Sequence, residues 1–499
     1  MLSGSLATFD FVLLLVYAIL LVFLSIYGLH RYFLAYLYYK HKNDGQEPKK
    51  QWEDLPLVTI QLPTFNEMYV VERLINATCG IRYPSDKLQI QVLDDSTDET
   101  TEIARQCVKK WTEKGMNIEL MHRSNRMGYK AGALEAGTES AHGEFMVVFD
   151  ADFVPQPDFL ESTIHYFTDT SIGMVQVRWA HINRNFSMLT RAQSVLLDGH
   201  FIIEHTARNR SGRFFNFNGT AGIWRRSTIS DAGGWQHDTL TEDLDLSYRA
   251  QIKGWNFVFL PEVLSPAELP VEMNSFKSQQ HRWAKGSIQT AKKLLPILLK
   301  SDLPAKVKLE SFFHLTNNLA YLMMVALCLI MPLSIAVRYE LHVPALMLID
   351  LPAFLLATVS ICYFYYVCQR EAGISKWVAI RSLPVVLSIG IGLCINNTRA
   401  VLEALVGYET GFTRTPKYAV TDANDEAWKK RKNYHRKKDW MPLVELSLGI
   451  YFTYAVYAAI SYGAWAAFPF MVLFQFGFLY MASLSLIQTR TGFGKTLDA

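Results

Sequence analysis

The chain has 499 residues, of which 50% are hydrophobic and 19% are charged, and its net charge at pH 7 is +3. This composition is too apolar for an average soluble protein and too charged for a protein made only of membrane helices. Basic residues cluster beside the apolar segments, where anionic lipid headgroups account for them more simply than nucleic acid does. We therefore expect a lipid bilayer, and no nucleic acid, among the partners.

The first apolar run, 11–29, carries no charge and is long enough to span a bilayer. No basic segment precedes it and no small-residue cleavage site follows it, so we interpret it as a retained helix and not as a signal peptide. Lysine and arginine follow this run but do not precede it. By the positive-inside rule, the domain that comes next is predicted to be cytosolic.

Residues 51–300 contain no comparable apolar run and alternate between strand-like and amphipathic segments. The predicted strands are 56–62, 88–93, 117–120 and 144–149, and the predicted helices are 68–79, 98–113, 128–140 and 158–168. This alternation predicts a mostly parallel, Rossmann-like α/β sheet that is covered on both faces. Ligands of such sheets bind beyond the carboxyl ends of the strands, so the residues that follow each strand are candidates for function.

Acidic residues follow three of the predicted strands, in the motifs "PTFNE" (63–67), "DDSTD" (94–98) and "DADF" (150–153). Each motif alone has a structural explanation, because Asp94, Asp95 or Ser96 could cap the helix that follows. At matching ends of one sheet, the three motifs together indicate a shared site and not three helix caps.

The pair Asp150 and Asp152 suits a hard divalent cation, because carboxylate oxygens are preferred ligands of Mg²⁺ and Mn²⁺. Such a cation could bridge two phosphates and stabilise a departing diphosphate. The chain has no GxxxxGKS/T motif, which argues against a P-loop nucleotidase. A site for a metal and a diphosphate without a P-loop indicates a nucleotide-sugar substrate.

Two later motifs carry further candidates. In "TEDLDLSYRAQIKGW" (241–255), Thr239 or Thr241 could cap a helix whose acidic first turn interacts with the helix dipole, or one of these acids could act as a general base. In "KSQQHRWAKG" (277–286), helical spacing places Gln279, Arg282 and Trp283 on one face. A tryptophan there could instead anchor the helix at the lipid surface.

Five apolar runs follow the α/β segment, at about 312–337, 345–368, 378–396, 441–463 and 465–487. The basic segments 369–376 and 425–438 flank the 378–396 run, and the positive-inside rule predicts that both are cytosolic. A helix whose two ends lie on the same side of the membrane cannot be a single membrane span. We therefore expect an interfacial or re-entrant helix at 378–396. The prediction is five membrane spans.

The motifs "DDS", "DAD", "TED" and "QQHRW", in this order, resemble the processive family-2 glycosyltransferases, the cellulose, chitin and hyaluronan synthases. The resemblance covers about 56–420. The segments "GYKAGAL" (128–134), "FNFNGTAGIWR" (215–225) and "GFTRTPK" (411–417) are more similar to the cellulose-synthase-like mannan and glucan synthases than to cellulose synthase. The resemblance implies a GT-A fold and inverting transfer of hexosyl units from GDP-mannose, UDP-glucose or GDP-glucose to a growing β-linked mannan or glucan, with β-1,4 the expected linkage.

The same resemblance implies a role for each site residue. The donor nucleotide is expected to contact Phe65, Glu67, Asp94, Asp95, Lys130, Asp150, Gln279, Arg282, Thr415 and Lys417. The acceptor sugar is expected to contact Asn218, Gly219, Thr220 and Trp283. The metal ligands are expected to be Asp150 and Asp152, the second of them direct. The catalytic motif comprises Thr241, Glu242 and Asp243, with Asp243 as the general base.

The segment "GFTRTPKY" resembles the family loop that closes over the bound nucleotide, but it departs from the cellulose synthase pattern at two positions. Arg414 replaces a valine, and Tyr418 follows the lysine in place of a glycine. These departures bear on the expected closing motion, whereas Thr415 and Lys417 are still expected to contact the phosphates. The chain ends soon after the last apolar run, so we expect no cyclic-dinucleotide switch.

We therefore expect an α/β GT-A domain inserted in an α-helical membrane domain with about five transmembrane helices plus interfacial helices. The expected parts are a membrane helix with a basic segment, the cytosolic catalytic domain, two spans, an interfacial region with the loop, and two final spans, at 1–50, 51–300, 301–377, 378–440 and 441–499. The protein is expected to be a multi-pass membrane protein, in the plasma membrane if bacterial and in the Golgi if plant-like. It would translocate the product through its own channel.

Two rival functions remain open at this stage. A non-processive glycosyltransferase that charges a polyprenyl phosphate or another lipid would share the GT-A site but would not need the "QQHRW" platform or the loop. An inactive scaffold or transporter would not need the acids of "DAD" and "TED" together. The choice between glucose and mannose, and between uridine and guanosine, also stays open, with a slight preference for mannan-type relatives.

Overall fold

The computed structural model describes residues 8–340, 350–411, 414–421, 440–465 and 467–490. The predicted basic loop 425–438 and the end of the chain, 491–499, lie outside the described residues. In the first part of the chain, the helices are α1 (Thr8–His41), α2 (Val71–Cys79), α3 (Thr100–Thr112), α4 (Tyr129–Ser140), α5 (Met188–Asp198), α6 (Thr206–Arg210), α7 (Arg226–Asp231), α8 (Glu242–Ile252) and α9 (Met273–Lys300). A π-helical segment, Gly199–His205, joins α5 to α6.

One seven-stranded sheet organises the chain between α1 and α9. Its strands are β1 (Val58–Thr64), β2 (Leu88–Asp94), β3 (Ile118–His122), β4 (Phe145–Val148), β5 (Ile172–His181), β6 (Gly222–Arg225) and β7 (Asn256–Ala267). They lie in the order β3-β2-β1-β4-β6-β5-β7. Strand β6 is antiparallel to both of its neighbours, and the four remaining neighbour pairs are parallel. The predicted mostly parallel sheet is confirmed.

Alternation along β2 shows how the sheet separates two cores. Ile90 and Val92 face a core that also contains residues of α2 and α3, whereas Leu93 faces a second core beneath α4. Gln89 and Gln91 are buried as well. Their amide oxygens accept hydrogen bonds from β1 at 2.8 and 3.2 Å, so these buried polar groups are paired. The sheet is therefore buried on both faces, as the apolar strands predicted.

The predicted helix at 158–168 is wrong. The chain forms turns over 157–163 and then a 3₁₀ helix, Ile164–Thr168. The apolar residues of this stretch are buried in the first core, so the pattern marked burial correctly. The hydroxyl of Thr163 donates to the carbonyl of Phe159 at 2.6 Å, and Thr163 N–H bonds three residues back to Leu160. Such local bonds compete with a regular α-helix.

The second part of the chain is helical. Its helices are α10 (Ala305–Thr316), α11 (Leu319–Glu340), α12 (Asp350–Ala353), α13 (Ser360–Glu371), α14 (Lys376–Gly392), α15 (Cys394–Val406), α16 (Met441–Ser461) and α17 (Phe468–Arg490), with a π-helical segment at Phe354–Val359. Six stretches of the described chain are long and apolar enough to cross a membrane: Thr8–His41, Leu319–Tyr339, Asp350–Glu371, Lys376–Val406, Met441–Ser461 and Phe468–Gln488.

This number is one more than the five predicted spans, and the additional stretch contains the 378–396 run that the sequence analysis placed at the interface. Helix α14 within it packs directly on α17. A Cβ atom added at Gly477 would lie 2.3 Å from the carbonyl oxygen of Ser388, so only glycine allows this approach. The 376–406 stretch is thus packed closely against another of the apolar helices.

A buried ion pair connects α9 to the last two helices. The Lys277 ammonium donates to Glu445 of α16 at 2.6 Å and to Ser485 of α17 at 2.8 Å. Both charged side chains are almost fully buried. The carbonyl of Lys277 also accepts a hydrogen bond from Asn396 of α15 at 2.9 Å. These bonds place the helix of the "QQHRW" motif against the apolar bundle.

We predict that Lys277→Met destabilises the detergent-solubilised protein by about 3–5 kcal/mol, because it leaves the Glu445 carboxylate buried without its cation. Thermal unfolding measures the loss. Lys277→Met combined with Glu445→Leu should restore most of it, since an apolar pair leaves no buried charge. The control is Arg105→Met, which removes an exposed ion pair with Glu102 and should cost less than about 1 kcal/mol. Equal losses for Lys277→Met and Arg105→Met would contradict this account.

Candidate active site

The carboxyl ends of the parallel strands form one edge of the sheet, and the predicted acids lie there. Asp94 ends β2, Asp150 and Asp152 follow β4, and Phe65 and Glu67 follow β1. The start of α8, the middle of α9, the loop 218–220 and the segment 414–421 face the same edge, as the contacts below show.

Asp94 is fully buried and holds this edge together. Its carboxylate accepts hydrogen bonds from Ser96 N–H at 3.1 Å and Thr101 Oγ1 at 2.7 Å, and it contacts His122 Nδ1 at 2.8 Å. Burial alone would raise the pKa of Asp94, but these hydrogen bonds outweigh it and hold the pKa below its ordinary value. Helix α3 begins at Thr100 with Glu99 at its N-cap, so Asp94 does not act as the helix cap.

Two arginines that the sequence analysis missed lie beside Asp95 and Phe65. Arg123 binds both carboxylate oxygens of Asp95, at 2.8 and 2.6 Å. The guanidinium of Arg126 lies 3.2 Å from the ring centroid of Phe65, over its face. Both arginines follow β3, so the rule of inspecting every strand end would have found them if it had been applied to the third predicted strand, 117–120, as well.

Lys130 connects the metal motif to the predicted acceptor loop. Its ammonium forms an ion pair with Asp150 and donates to the carbonyl of Gly219 at 2.8 Å. The backbone N–H of Asp150 donates to Thr220 Oγ1 at 2.9 Å. Burial raises the pKa of Asp150 and Asp152 adds to the rise, while Lys130 opposes it. The structure therefore brings together the residues predicted for the diphosphate and for the acceptor.

Asp243 lies within contact distance of that loop. A Cβ atom added at Gly219, where φ is +79°, would lie 2.9 Å from Oδ2 of Asp243, so only glycine fits there. Burial, together with the charge of Glu242, raises the pKa of Asp243 to about 8. Burial also raises the pKa of Glu242. A carboxyl group with a pKa near neutrality is suited to general base catalysis.

Thr241 occupies the N-cap position of α8, but its side chain makes no capping hydrogen bond. Its hydroxyl is buried and lies 3.4 Å from Thr290 Oγ1 of α9. Thr239 likewise is buried and lies outside the helix. The suggestion that one of these hydroxyls caps α8 is therefore wrong. Thr241 instead places the acidic start of α8 against α9.

The three predicted residues of the "QQHRW" motif lie on α9. Arg282 donates to Thr415 Oγ1 at 3.1 Å. Burial lowers the pKa of Arg282 to about 10, although Glu242 and Asp150 favour its charged form. Gln279 and Trp283 are half-buried on the same helix. Arg282 is thus close enough to the acidic cluster to attract a diphosphate there.

The described segment 414–421 is docked on the sheet edge, and the first of its two departures from the cellulose synthase pattern makes a specific contact. Arg414 donates to both carboxylate oxygens of Glu67, at 2.9 and 2.7 Å. Both side chains are nearly buried. Burial raises the pKa of Glu67 to about 7, although Arg414 opposes the rise. Glu67, predicted to contact the donor nucleotide, is therefore bound to the loop.

The second departure also has partners in the catalytic domain. Tyr418 is buried, its N–H donates to Glu268 Oε1 at 2.9 Å, and its ring lies against Tyr69. One residue earlier, the Lys417 ammonium donates to Asp152 Oδ2 at 2.7 Å. Lys417 thus pairs with the carboxylate that was predicted as the direct metal ligand.

Comparison with known proteins places this site in a family. Residues 56–286 match the family described as "Glycosyltransferase like family 2". The chain is 41% identical over 310 residues to glucomannan 4-beta-mannosyltransferase 1 of Oryza sativa subsp. japonica. This match covers 60% of this chain and 59% of the relative. It is 34% identical over 440 residues to probable glucomannan 4-beta-mannosyltransferase 9 of the same plant. That match covers 84% of this chain and 80% of the relative. It is 31% identical over 470 residues to glucomannan 4-beta-mannosyltransferase 1 of Cyamopsis tetragonoloba, and that match covers 91% of this chain and 86% of the relative.

The chain thus spans less than two thirds of the first relative and about four fifths or more of the other two. Among solved structures, the mannosyltransferase PcManGT from Pyrobaculum calidifontis, in complex with GDP-Man and Mn²⁺, has a TM-score of 0.51 and 20% identity. It matches 79% of this chain and 100% of its own. The fold is that of the GT-A glycosyltransferases. The chain belongs to glycosyltransferase family 2, in the cellulose-synthase-like group of the glucomannan 4-beta-mannosyltransferases.

We predict that Glu67→Gln loosens the segment 414–421, because a neutral amide cannot bind both guanidinium N–H groups as a carboxylate does. The amides of this segment, including that of Tyr418, should exchange with deuterium about tenfold faster or more. Glu161→Gln is the matched control, since Glu161 forms an equivalent but exposed pair with Arg82. Unchanged exchange in Glu67→Gln would contradict the inferred attachment of the loop.

Proposed function

We propose that this protein is a processive membrane synthase that transfers mannosyl units from GDP-mannose to a growing β-1,4-linked mannan or glucomannan chain. The observation that carries the proposal is the position of Asp243, beside the loop 218–220 and near the Lys130–Asp150 pair. The residues that we propose as the base, the acceptor loop and the diphosphate site thus lie side by side. The names of the relatives favour mannose over glucose, which the sequence analysis left open.

Asp150 and Asp152 would hold a divalent cation, Mg²⁺ or Mn²⁺. The donor set fits in part, because it supplies two carboxylates, and the described part of the chain has no group of three or more metal-binding side chains. Oxygens of the donor diphosphate, together with water, would supply the remaining ligands. When bound, the cation would neutralise charge on the leaving diphosphate. Lys130, Arg282 and Lys417 surround this position and would bind the same phosphates.

Asp243 would take the proton from the attacking hydroxyl of the acceptor sugar. The oxygen then bonds to the anomeric carbon as the bond from that carbon to the diphosphate breaks on the opposite face. A single displacement of this kind inverts the anomeric configuration and needs no covalent enzyme intermediate. Buried next to Glu242, Asp243 holds a proton more readily than an ordinary aspartate, and it therefore accepts one from a hydroxyl more effectively.

Trp283 and Gln279 lie on the same face of α9. Trp283 would contact the acceptor sugar, and Gln279 would contact the donor nucleotide. The indole offers an apolar surface on which the C–H face of a β-linked sugar can stack. Helix α9 carries this surface to the apolar bundle through Lys277 and its partners. The acceptor chain would leave the pocket along this route and cross the membrane through the bundle, with the catalytic domain on the cytosolic side.

A lipid glycosyltransferase is the rival reading, and its product distinguishes the two. Purified protein should be incubated with radiolabelled GDP-mannose, UDP-glucose or GDP-glucose in separate reactions. We expect a long, ethanol-insoluble polymer from GDP-mannose that endo-β-1,4-mannanase degrades. A short, chloroform-soluble product would instead establish the lipid acceptor, and preference for UDP-glucose would reject the proposed donor.

We predict that Asp243→Asn lowers kcat by roughly 10²–10⁴-fold while the binding of GDP-mannose is retained, because the amide keeps the shape but cannot accept the proton. In the unmodified enzyme, only ionised Asp243 can act as a base. Since its pKa is raised to about 8, kcat/KM should increase as pH rises toward 8 and level off above it.

Two results would reject the assignment of the base to Asp243. One is an Asp243→Asn variant with normal kcat, and the other is a variant that retains the alkaline rise of kcat/KM. Glu262→Gln is the control, because Glu262 lies on β7 and its side chain is mostly exposed.

A further inference from the structure

Two histidines on the π-helical segment Gly199–His205 point in the same direction. A π-helix bonds each residue to the one five positions away, so residues i and i+5 lie close together on one side. The rings of His200 and His205 accordingly lie 4.2 Å apart, centroid to centroid. A regular α-helix would separate them by more than a full turn, on different faces. The irregular helix therefore produces an imidazole pair.

This histidine pair binds the side-chain amide of Asn218, the first residue of the predicted acceptor loop. His205 Nε2 lies 2.5 Å from Asn218 Oδ1, and His200 Nε2 lies 2.9 Å from Asn218 Nδ2. The backbone N–H of Asn218 donates to Gln176 at 3.0 Å. The next residue, Gly219, is the one whose Cβ would meet Asp243. Asn218 is thus fixed beside the proposed base.

The carboxylate of Glu204 determines which way the amide points. Burial opposes ionisation of Glu204, but Arg31 and Arg208 outweigh it and hold its pKa well below the ordinary value. A carboxylate only accepts, so His200 Nδ1, at 3.0 Å from Glu204, carries the proton. His200 Nε2 then accepts from the Asn218 NH₂ group, and Asn218 Oδ1 accepts from His205 Nε2–H.

One hydrogen of the Asn218 NH₂ group and one lone pair of its oxygen are not used by the histidines. A donor and an acceptor held side by side match two neighbouring hydroxyl groups of a sugar. The same chain of bonds continues to the first membrane helix, because Glu204 pairs with Arg31 of α1 and Arg208 pairs with Glu310. The orientation of the amide is therefore fixed by buried charges and not by the loop itself.

We propose that His200 and His205 are positioning residues that orient the Asn218 amide for recognition of two hydroxyls on the terminal sugar of the acceptor. This inference rests on the proposed function. It assigns the histidines a role that they exert only through Asn218. Their loss should therefore weaken acceptor binding and leave donor binding unchanged.

The test measures transfer from GDP-mannose to mannotetraose by the purified full chain. His200→Ala, His205→Ala and Asn218→Ala should each raise the acceptor KM about tenfold, since each removes a hydrogen bond needed to hold or provide the amide. The donor KM and the slow hydrolysis of GDP-mannose should stay unchanged, which also shows that the variants fold. His181→Ala is the matched control, because His181 pairs with Asp198 of α5 and makes no bond to Asn218.

Two further variants separate positioning from general structure. His200→Gln and His205→Gln can place an oxygen or an N–H group near the former Nε2 atoms, so they should recover most of the acceptor affinity. The His200→Ala/Asn218→Ala double variant should be no worse than Asn218→Ala alone, because the histidine acts through the amide. Additive losses, or a donor KM that rises equally, would overturn the inference. If the unmodified protein transfers nothing to the oligosaccharide, the proposed function fails with it; if it transfers normally and His200→Ala keeps a normal acceptor KM, the inference alone fails.

Discussion

Burial of several neighbouring carboxylates in one cluster is the constraint on which the rest of this structure depends. Asp150 raises the pKa values of Glu242 and Asp243, Glu242 raises that of Asp243, and burial raises all three pKa values. Such a cluster costs free energy unless cations face it. Lys130 of α4 and Arg282 of α9 supply two of these cations. The sheet, α8 and α9 therefore have to meet at this point for the acids to be tolerated.

The compensating cations explain why the segment 414–421 docks where it does. Lys417 pairs with Asp152, and Arg414 pairs with Glu67, at neighbouring strand ends. A diphosphate carries the same sign of charge as these carboxylates, so a bound donor and Asp152 would compete for Lys417. Binding of the donor would thereby change the contacts of the loop directly, with no need for a signal from another part of the protein. The charged side chains that would bind the donor are therefore the same ones that hold the segment 414–421 on the sheet.

Much of this could be predicted from the sequence, and what could not has physical reasons. Short apolar runs located β1 to β4, and the strand-end rule predicted that Glu67, Asp94 and Asp150 share one site. The antiparallel β6 and the π-helical segment depend on distant pairings that no local pattern reveals. The stretch 158–168 has helix-like apolar spacing, yet side-chain hydrogen bonds tighten it into turns. Arg414 and Tyr418 looked like simple departures from a family pattern, because their partners lie more than a hundred residues away.

In the apolar helices, too, some features could be predicted from the sequence and others could not. Composition located every apolar run, and the structure adds how closely α14 packs on α17. The central claim is that Asp150 and Asp152 form the metal–diphosphate site and that Lys417 changes partner there. A structure determined with GDP-mannose and Mn²⁺, using anomalous scattering to locate the metal, tests it most directly. The account predicts one manganese peak between Asp152 and the diphosphate, with the Lys417 ammonium moved from Asp152 to the phosphates. A manganese peak away from both aspartates, or an intact Lys417–Asp152 pair beside the bound donor, would contradict it.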